Sequence, residues 1–161
     1  RRIPNEPNVI VSPADGKITE IVTENEPING NLCKRVTIFL SVFNVHVNRV
    51  PIEGTIEDIR YNPGKFLAAF NPKASMDNEQ NLILINNGRT HIFVKQIAGL
   101  IARRIVCWPK KGDHYESGQR YGLIRFGSRV DILLPENTKL SVACGDKVSG
   151  GKSIIGYLNP N

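Results

Sequence analysis

Short apolar runs, separated by polar and turn-forming residues, recur along the whole chain. Several alternate apolar with polar positions, and most are rich in β-branched residues, as half-buried strands are. The runs that predict strands are residues 9–11, 17–22, 35–40, 55–60, 82–85, 91–94 and 104–107. The pattern therefore predicts a mainly β fold.

The spaces between these runs predict tight connections. Asn86-Asn87-Gly88-Arg89 lies between two strand-like runs and is typical of a hairpin turn. Segments 65–70 and 96–102 are the best candidates for short helices or loops. Because 10 prolines and 14 glycines interrupt the remainder, long helices are not expected. We expect one domain, residues 1–161, mainly β with a few short helices and resembling a β-sandwich or barrel-sandwich hybrid.

A weak internal repeat lies in the last third of the chain. Gly112-Asp113 and Gly118 precede residues 121–124, and Gly145-Asp146 and Gly151 precede residues 154–157. Two turns followed by a strand look like the turns of lipoyl and biotinyl carrier domains. A carrier would present a modifiable lysine at a hairpin tip. Lys147 is the nearest candidate, but it runs into the next glycine turn, so no carrier site is predicted.

The net charge favours an acidic partner. The chain has 21 Lys and Arg against 15 Asp and Glu, which suits an anionic lipid surface, a nucleic acid or a phosphorylated substrate. The basic residues are dispersed and aromatic residues are few, so a nucleic-acid groove is not favoured. A solvated basic surface without a specific partner remains the alternative.

The three cysteines, Cys33, Cys107 and Cys144, are far apart and odd in number. We expect Cys107 and Cys144 to be buried free thiols in a reducing compartment. No spacing of Cys and His indicates a metal site, so no metal is expected.

Gly127-Ser128 is a candidate for self-cleavage. A serine hydroxyl can attack the carbonyl before it, and glycine brings no side chain to block the approach. An acyl shift and an elimination would then leave a ketone in place of the serine. The dipeptide alone is also an ordinary turn signal.

Two further residues could assist that serine. His46 lies among alternating valines, and period two puts Asn44, His46 and Asn48 on one face of a strand. A neutral imidazole is the usual general base near pH 7, although a structural histidine gives the same pattern. Asp15 precedes Gly16, where it either orients the histidine or caps its own turn.

The sequence resembles the phosphatidylserine decarboxylase family, in its short bacterial form, over essentially its whole length. The motifs that carry the resemblance are Ser12-Pro13-Ala14-Asp15-Gly16, residues 43–51, 61–66 and 96–106, and Arg125-Phe126-Gly127-Ser128-Arg129-Val130-Asp131. Several long motifs in the right order make the match specific.

The resemblance implies a proenzyme that cleaves itself between Gly127 and Ser128 with help from Asp15 and His46. It implies a β subunit, residues 1–127, and a non-covalently associated α subunit, residues 128–161. Ser128 becomes a pyruvoyl cofactor, without a metal, that forms a Schiff base with phosphatidylserine and releases carbon dioxide and phosphatidylethanolamine. His46 then donates the proton or positions the substrate.

The resemblance also implies a homodimer at the cytoplasmic face of the cell membrane, contacting anionic phospholipid and no nucleic acid. Phe43, Asn48, Arg49, Lys65 and Phe66 are candidate substrate-binding residues, and segment 65–73 is a candidate lipid entrance. The family's hydrophobic N-terminal segment is absent here. Arg49 replaces the second histidine of long-form members, and Gln80 replaces an arginine.

Three other functions remain open. The chain could decarboxylate another serine lipid of the archaetidylserine type. It could be a different self-processing or serine-nucleophile enzyme, such as a hydrolase. It could also be a non-catalytic binding module related to biotinyl carriers.

Overall fold

Strands dominate the computed structural model, which describes residues 2–6, 8–40, 46–64, 78–99, 105–125 and 127–159. Fourteen strands and no helix occur within these ranges. The strands are β1 Val9–Val11, β2 Gly16–Asn25, β3 Leu32–Phe39, β4 His46–Arg49, β5 Gly54–Asn62, β6 Gln80–Asn86, β7 His91–Ile97, β8 Val106–Cys107, β9 His114–Tyr115, β10 Arg120–Ile124, β11 Arg129–Pro135, β12 Lys139–Leu140, β13 Lys147–Val148 and β14 Ile154–Tyr157.

The strands form one large and two small antiparallel sheets. The large sheet has the order β13-β2-β3-β11-β7-β6-β5-β9, and the small sheets have the orders β1-β14-β12 and β4-β10-β8. One face of the large sheet packs into the main core, so side chains alternate between core and outer face along each strand. On β11, Val130, Ile132 and Leu134 enter that core, whereas Leu133 joins a second apolar cluster. This arrangement confirms the predicted mainly β, sandwich-like fold.

The large sheet consists of two similar halves, because the chain contains two units whose strands follow the same order from each outer edge inwards. We call β1–β3 with β11–β14 the outer unit, and β4–β10 the inserted unit. In this correspondence β2 matches β5, β3 matches β6, β11 matches β7 and β13 matches β9. The register shift between Ile18 and Glu20 recurs between Ile56 and Asp58. The backbone is therefore duplicated in detail.

The predicted repeat belongs to this duplication. Gly112 and Gly145 both have φ of 97°, a left-handed conformation that favours glycine. The Gly112 N–H donates to Ile56 O at 2.7 Å, and the Gly145 N–H donates to Ile18 O at 2.8 Å. The two Gly-Asp turns thus bind equivalent strands in equivalent ways.

The two units differ where their central strands are joined. A tight hairpin joins β6 to β7, and the Asn87 N–H donates to Thr90 O at 3.2 Å. The whole inserted unit separates β3 from β11, and the Leu40 N–H donates to Ser128 O at 2.9 Å. Ser128 therefore corresponds to Thr90, at the junction where the chain re-enters the outer unit.

The structure corrects several details of the sequence prediction. Gln96 and Ile97 are not helical, because they pair with β11 and extend β7. Residue 105 precedes β8, which begins at Val106. Cys144 is exposed instead of buried, because it lies in the turn before Gly145, and Cys107 is half-buried instead of buried. The predicted hairpin between β6 and β7 is confirmed. Segment 65–70 lies outside the described residues.

The described part of the chain has no helix of the length and apolarity that a bilayer crossing needs.

Candidate functional site

Ser128 lies directly before β11 and is fully buried, with 0% of its surface exposed. Its carbonyl oxygen accepts the Leu40 N–H at the end of β3. Its Oγ accepts a hydrogen bond from the Gly99 N–H at 3.3 Å. The hydroxyl is therefore held inside the protein by a backbone group, away from bulk water.

Gly127 adopts a left-handed backbone, with φ of 73°. A Cβ at this position would meet no heavy atom within 4 Å. Because that distance concerns residues beyond the adjoining Ser128, the unobstructed approach of the Ser128 hydroxyl stays a prediction. The backbone conformation favours glycine independently, since a left-handed residue with a side chain costs roughly 1–2 kcal/mol.

His46 begins β4, and its side chain is buried, with 7% exposed. It lies opposite Ile124 on β10, four residues before Ser128 along the chain. His46 and Asn48 are buried, whereas Val47 between them is half-buried. The predicted polar face is thus present for these two residues; Asn44 lies outside the described residues.

Asp15 lies in the turn between β1 and β2. Its Oδ1 accepts the Gly150 N–H at 2.6 Å, so the carboxylate ties this turn to a turn 135 residues further on. Lys17 and Arg129 both pair with Phe39, from opposite sides of β3. Two strand spacings, about 10 Å, therefore separate the β2 and β11 backbones at this row.

The strands that carry Asp15, His46 and Ser128 thus meet at one edge of the large sheet, which we call the Ser128 edge. β2 and β11 begin there on either side of the end of β3. β10 ends there, opposite the first residue of β4. Residues far apart in sequence are brought to one place by strand pairing.

Asn48 belongs to a buried amide network. Its Oδ1 accepts a hydrogen bond from Gln96 Nε2 at 2.8 Å, and Gln96 Oε1 accepts one from Asn81 Nδ2 at 3.4 Å. Within the described ranges, Asn48 Nδ2 has no partner although it is buried. A free donor therefore lies two residues from His46 on the same strand face.

Gln96 was not singled out from the sequence. The signal was available, because Gln96 shares the core-facing parity of Ile92 and Val94 on β7. A polar side chain at such a position needs a partner, and here the partner is Asn48.

The other predicted substrate-binding residues have structural contacts or lie outside the described residues. Arg49 Nη1 donates to Gly118 O at 2.8 Å, and its side chain packs against Gly151, so it supports two turns. Its substrate contact stays a prediction. Phe43, Lys65 and Phe66 lie outside the described residues.

Two of the three cysteine thiols, those of Cys33 and Cys107, are poor nucleophiles. Burial raises the pKa of Cys107 to about 11. Burial, and then the charge of Glu24, raise the pKa of Cys33 to about 11. Both thiols are protonated near pH 7, which leaves Ser128 as the buried nucleophile of interest.

One group of side chains has metal-ligand character. Ligand atoms of Glu53, His114 and Glu116 lie within 4.8 Å of one another, and all three residues are exposed. The group lies at the opposite edge of the large sheet, where β5 begins. Exposed acidic groups of this kind are common without an ion, and these do not contact the Ser128 edge.

The fold and site define a β-sheet enzyme domain with serine, imidazole and carboxylate groups at one sheet edge. The family model described as "Phosphatidylserine decarboxylase" matches residues 1–156. The chain therefore belongs to the phosphatidylserine decarboxylase family, a family of decarboxylase enzymes.

Individual relatives are similar over almost the whole chain. A "Phosphatidylserine decarboxylase proenzyme" of Geotalea uraniireducens is 48% identical over 98% of this chain and 75% of that protein. Proteins of the same name from Chlorobium phaeobacteroides and Burkholderia pseudomallei are 46% and 43% identical, each over 98% of this chain and 74% of the relative. No solved structure matches the chain.

Proposed function

We propose that this chain is a proenzyme that cleaves itself between Gly127 and Ser128 and then decarboxylates phosphatidylserine to phosphatidylethanolamine. The observation that carries the proposal is the buried Ser128 hydroxyl, held by the Gly99 N–H beside the Gly127–Ser128 peptide. Family membership supplies the substrate, since the matched relatives are named for phosphatidylserine.

In the first reaction, Ser128 attacks the Gly127 carbonyl carbon, and His46 accepts the hydroxyl proton. Burial supports this role, because a general base acts best on a proton that water does not reach. Asp15 lies at the same edge and orients the imidazole. Its bond from the Gly150 N–H fixes the position of the carboxylate.

The duplicated fold supports a shared site for these three residues. By the strand correspondence, Asp15 matches Glu53, His46 matches Asn8 and Gly127 matches Arg89. Glu53, Asn8 and Arg89 line one cavity. Equivalent backbone positions at the Ser128 edge should enclose an equivalent space.

The residues at the Ser128 edge fit a pyruvoyl group made from Ser128, because the serine is fully buried and a ketone at its Cα would be shielded from bulk water. When formed, this group supplies a ketone that captures the substrate amine and withdraws electrons as carbon dioxide leaves. His46 returns a proton to the product carbon. Asn48 Nδ2, a buried donor, binds an oxygen of the serine headgroup.

The proposal extends to the assembly and its surroundings. The two fragments, residues 1–127 and 128–161, remain associated because β11 lies between β3 and β7 in one sheet. The protein works as a homodimer at the cytoplasmic face of the membrane. Its excess of six basic charges favours anionic phospholipid there.

Intact mass and a denaturing gel test the cleavage. The expected pieces are residues 1–127 and 128–161, and the smaller piece should carry a carbonyl N-terminus that borohydride reduces. The matched control is Ser128→Ala, which should stay at 17.9 kDa. A folded wild-type chain that remains intact under conditions where it is active contradicts the proposal.

Activity and surroundings are tested separately. Mature protein should convert phosphatidylserine in mixed micelles to phosphatidylethanolamine, measured by lipid mass spectrometry, and Ser128→Ala should not. Sedimentation with vesicles of phosphatidylcholine, with and without phosphatidylserine, tests the preference for anionic lipid. Equal binding to both vesicles contradicts it, and a monomer in sedimentation equilibrium contradicts the homodimer.

A further inference from the structure

Gly99 contacts both sides of the bond between Gly127 and Ser128. Its N–H donates to Ser128 Oγ at 3.3 Å. A Cβ built on Gly99 would lie 2.1 Å from Gly127 O and 2.9 Å from Gly127 C. The Gly99 backbone therefore packs directly against the carbonyl that the serine has to attack.

Space, and not backbone conformation, requires glycine at this position. Gly99 is absent from the glycines with positive φ, whereas Gly127 is among them. An alanine at residue 99 could adopt the same dihedral angles, but its methyl group would displace the Gly127 carbonyl. Close packing thus favours glycine at residue 99, and a left-handed backbone favours it at residue 127.

Two hydrogen bonds fix the residue before Gly99. The Ala98 N–H donates to Glu79 O at 2.9 Å, and Ala98 O accepts from Asn78 Nδ2 at 2.6 Å. Ala98 C=O and Gly99 N–H belong to one trans peptide group and point in opposite directions. By holding the carbonyl, the Asn78 amide aims the N–H at Ser128.

The corresponding residues at the opposite edge of the large sheet are not packed closely in this way. The strand correspondence matches Gly99 to Asn137, and Gly127-Ser128 to Arg89-Thr90. Asn137, Arg89 and Thr90 line an open cavity of ≈ 490 Å³. Close contact at Gly99 is therefore a property of one edge, not a consequence of the duplicated backbone.

We propose that the Ala98–Gly99 peptide is a backbone clamp that positions Ser128 for self-cleavage, with Asn78 as the side chain that positions the clamp. The proposal rests on the self-cleavage proposed above and adds two positioning residues to it. Neither residue donates or accepts a reacting proton.

The Gly99 N–H can remain hydrogen-bonded to Ser128 Oγ while that oxygen changes its bonds during the reaction. Ser128 Oγ bonds to the Gly127 carbonyl carbon as its proton passes to His46. The carbon–nitrogen bond then breaks, and the nitrogen takes that proton, which leaves an ester and a free amine. The hydroxyl has two lone pairs, so one accepts the Gly99 N–H while the other attacks.

Elimination completes the sequence. His46, neutral again after giving its proton to the nitrogen, takes the Ser128 Cα proton as the Cβ–Oγ bond breaks, and Oγ leaves as part of the Gly127 carboxylate. The dehydroalanine that remains becomes an imine, and water replaces its nitrogen with oxygen and releases ammonia. The Gly99 N–H then donates to a charged oxygen, a stronger bond than at the start, so the clamp favours departure of this group.

The first test compares Gly99→Ala with Gly54→Ala. Gly54 lies at the opposite edge, and a Cβ there would meet Asn86 O at 2.6 Å, so both variants force a methyl against a carbonyl oxygen. Cleavage is timed on a denaturing gel after pulse-labelled cell-free synthesis. We expect Gly99→Ala to slow it by about 100-fold or more, because the methyl group moves the Gly127–Ser128 bond away from the Gly99 N–H and misplacing an oxyanion-type donor has an effect of that size. Gly54→Ala should leave the rate within threefold.

Hydroxylamine treatment shows whether the ester between Gly127 and Ser128 forms. It cleaves the ester and leaves a Gly127 hydroxamate that mass spectrometry detects. Wild type and Gly54→Ala should give this product, and Gly99→Ala should give almost none. Gly99→Ala cleaving as fast as Gly54→Ala overturns the clamp while the proposed function stands, whereas a wild-type chain that never cleaves overturns both.

Asn78→Asp gives a second test that does not depend on packing. An ionised carboxylate at residue 78 repels the Ala98 carbonyl, but a protonated carboxyl group can donate to it as the amide does. The ratio of variant to wild-type cleavage rate should therefore rise as pH falls from 8 to 5. A ratio that does not change with pH overturns the role of Asn78, because a purely structural defect would not recover on acidification.

Discussion

The two edges of the large sheet have the same backbone and different chemistry. At the Ser128 edge the row carries Asp15, His46 and the Gly127–Ser128 bond. At the opposite edge the corresponding residues are Glu53, Asn8 and Arg89-Thr90. At one edge the chain leaves β3 and returns to β11 through a whole inserted unit; at the other it makes a four-residue turn. The repeated backbone thus provides two similar sheet ends, and the inserted unit makes one of them the junction that contains the proposed cleavage site.

The outer faces of the two units differ in the same way. In the outer unit, Asp131 accepts hydrogen bonds from Thr37 at 2.8 Å and from Arg129 at 3.2 Å, and all three side chains are buried. In the inserted unit, the positions that match Thr37 and Asp131 are Leu84 and Phe93, which are packed in an apolar cluster. Equivalent positions are filled by a polar network in one unit and by packing in the other.

The largest difference between the two edges is expected when the hydroxyl is removed at Ser128 and at the corresponding Thr90. Ser128→Ala should abolish self-cleavage, because no hydroxyl remains to form the ester. Thr90→Ala, at the corresponding position, should mature at the wild-type rate. Intact mass after overnight incubation separates the two outcomes, and loss of cleavage in both variants would show that the opposite edge also acts in maturation.

The next effect concerns the assisting groups. His46→Ala and Asp15→Asn should slow cleavage by about 100-fold or more, the usual contribution of a positioned general base. Asn8→Ala and Glu53→Gln should change the rate by less than threefold. The measurement is the same pulse-labelled time course. If His46→Ala matures normally, its assignment is wrong.

The free energy of unfolding tests the difference between the outer faces of the two units. The variants are made in the Ser128→Ala background, so that one intact chain unfolds. Asp131→Ala leaves Arg129 as a buried charge without this carboxylate and should cost about 3–5 kcal/mol. Phe93→Ala should cost about 3–5 kcal/mol by leaving a cavity. Urea unfolding measures both.

The exposed pair of Asp58 and Arg60 gives the control for that experiment. Asp58→Ala should cost at most about 1 kcal/mol, since water and salt screen exposed ion pairs. An Asp131→Ala chain as stable as Asp58→Ala would mean that the buried network adds nothing.

The smallest effect concerns the thiols. Iodoacetamide at pH 8 should label exposed Cys144 and spare Cys33 and Cys107. A pKa raised from 9.0 to about 11 reduces the thiolate fraction of Cys107 about 100-fold at this pH. Labelling is counted by mass.

The same shift implies a pH dependence of stability. The folded pKa of Cys107 exceeds the unfolded value, so its contribution is complete below pH 9 and is lost as pH rises toward about 11. Equal labelling of all three cysteines in folded protein would contradict both statements.

Local pattern predicted most of the strands, but apart from one hairpin it did not indicate which strands pair. Val9–Val11 and the β6–β7 hairpin followed from β-branched runs and an Asn-Asn-Gly turn. The segment that begins at Gln96 was misassigned, because its pairing with β11 depends on residues more than 30 positions away. Cys144 was misassigned because an apolar neighbourhood does not reveal a turn.

The candidate site divides in the same way. Asp15, His46 and Ser128 could be chosen from sequence, because reactive side chains in extended segments and long family motifs are local features. Gln96, Gly99 and Asn78 could not be given roles, because their partners lie on other strands. The residues next to a glycine in sequence do not indicate whether another strand packs closely against it.

By itself, the sequence determined the mainly β character and the repeated Gly-Asp turns, and it named the candidate reactive residues, since each depends on neighbouring positions. Only the tertiary structure decided that the chain is one unit inserted into another, and that Gly127-Ser128 lies at the junction between them. It alone placed the Gly99 backbone against that bond. These features are set by antiparallel pairing between distant strands, whose register no local pattern encodes.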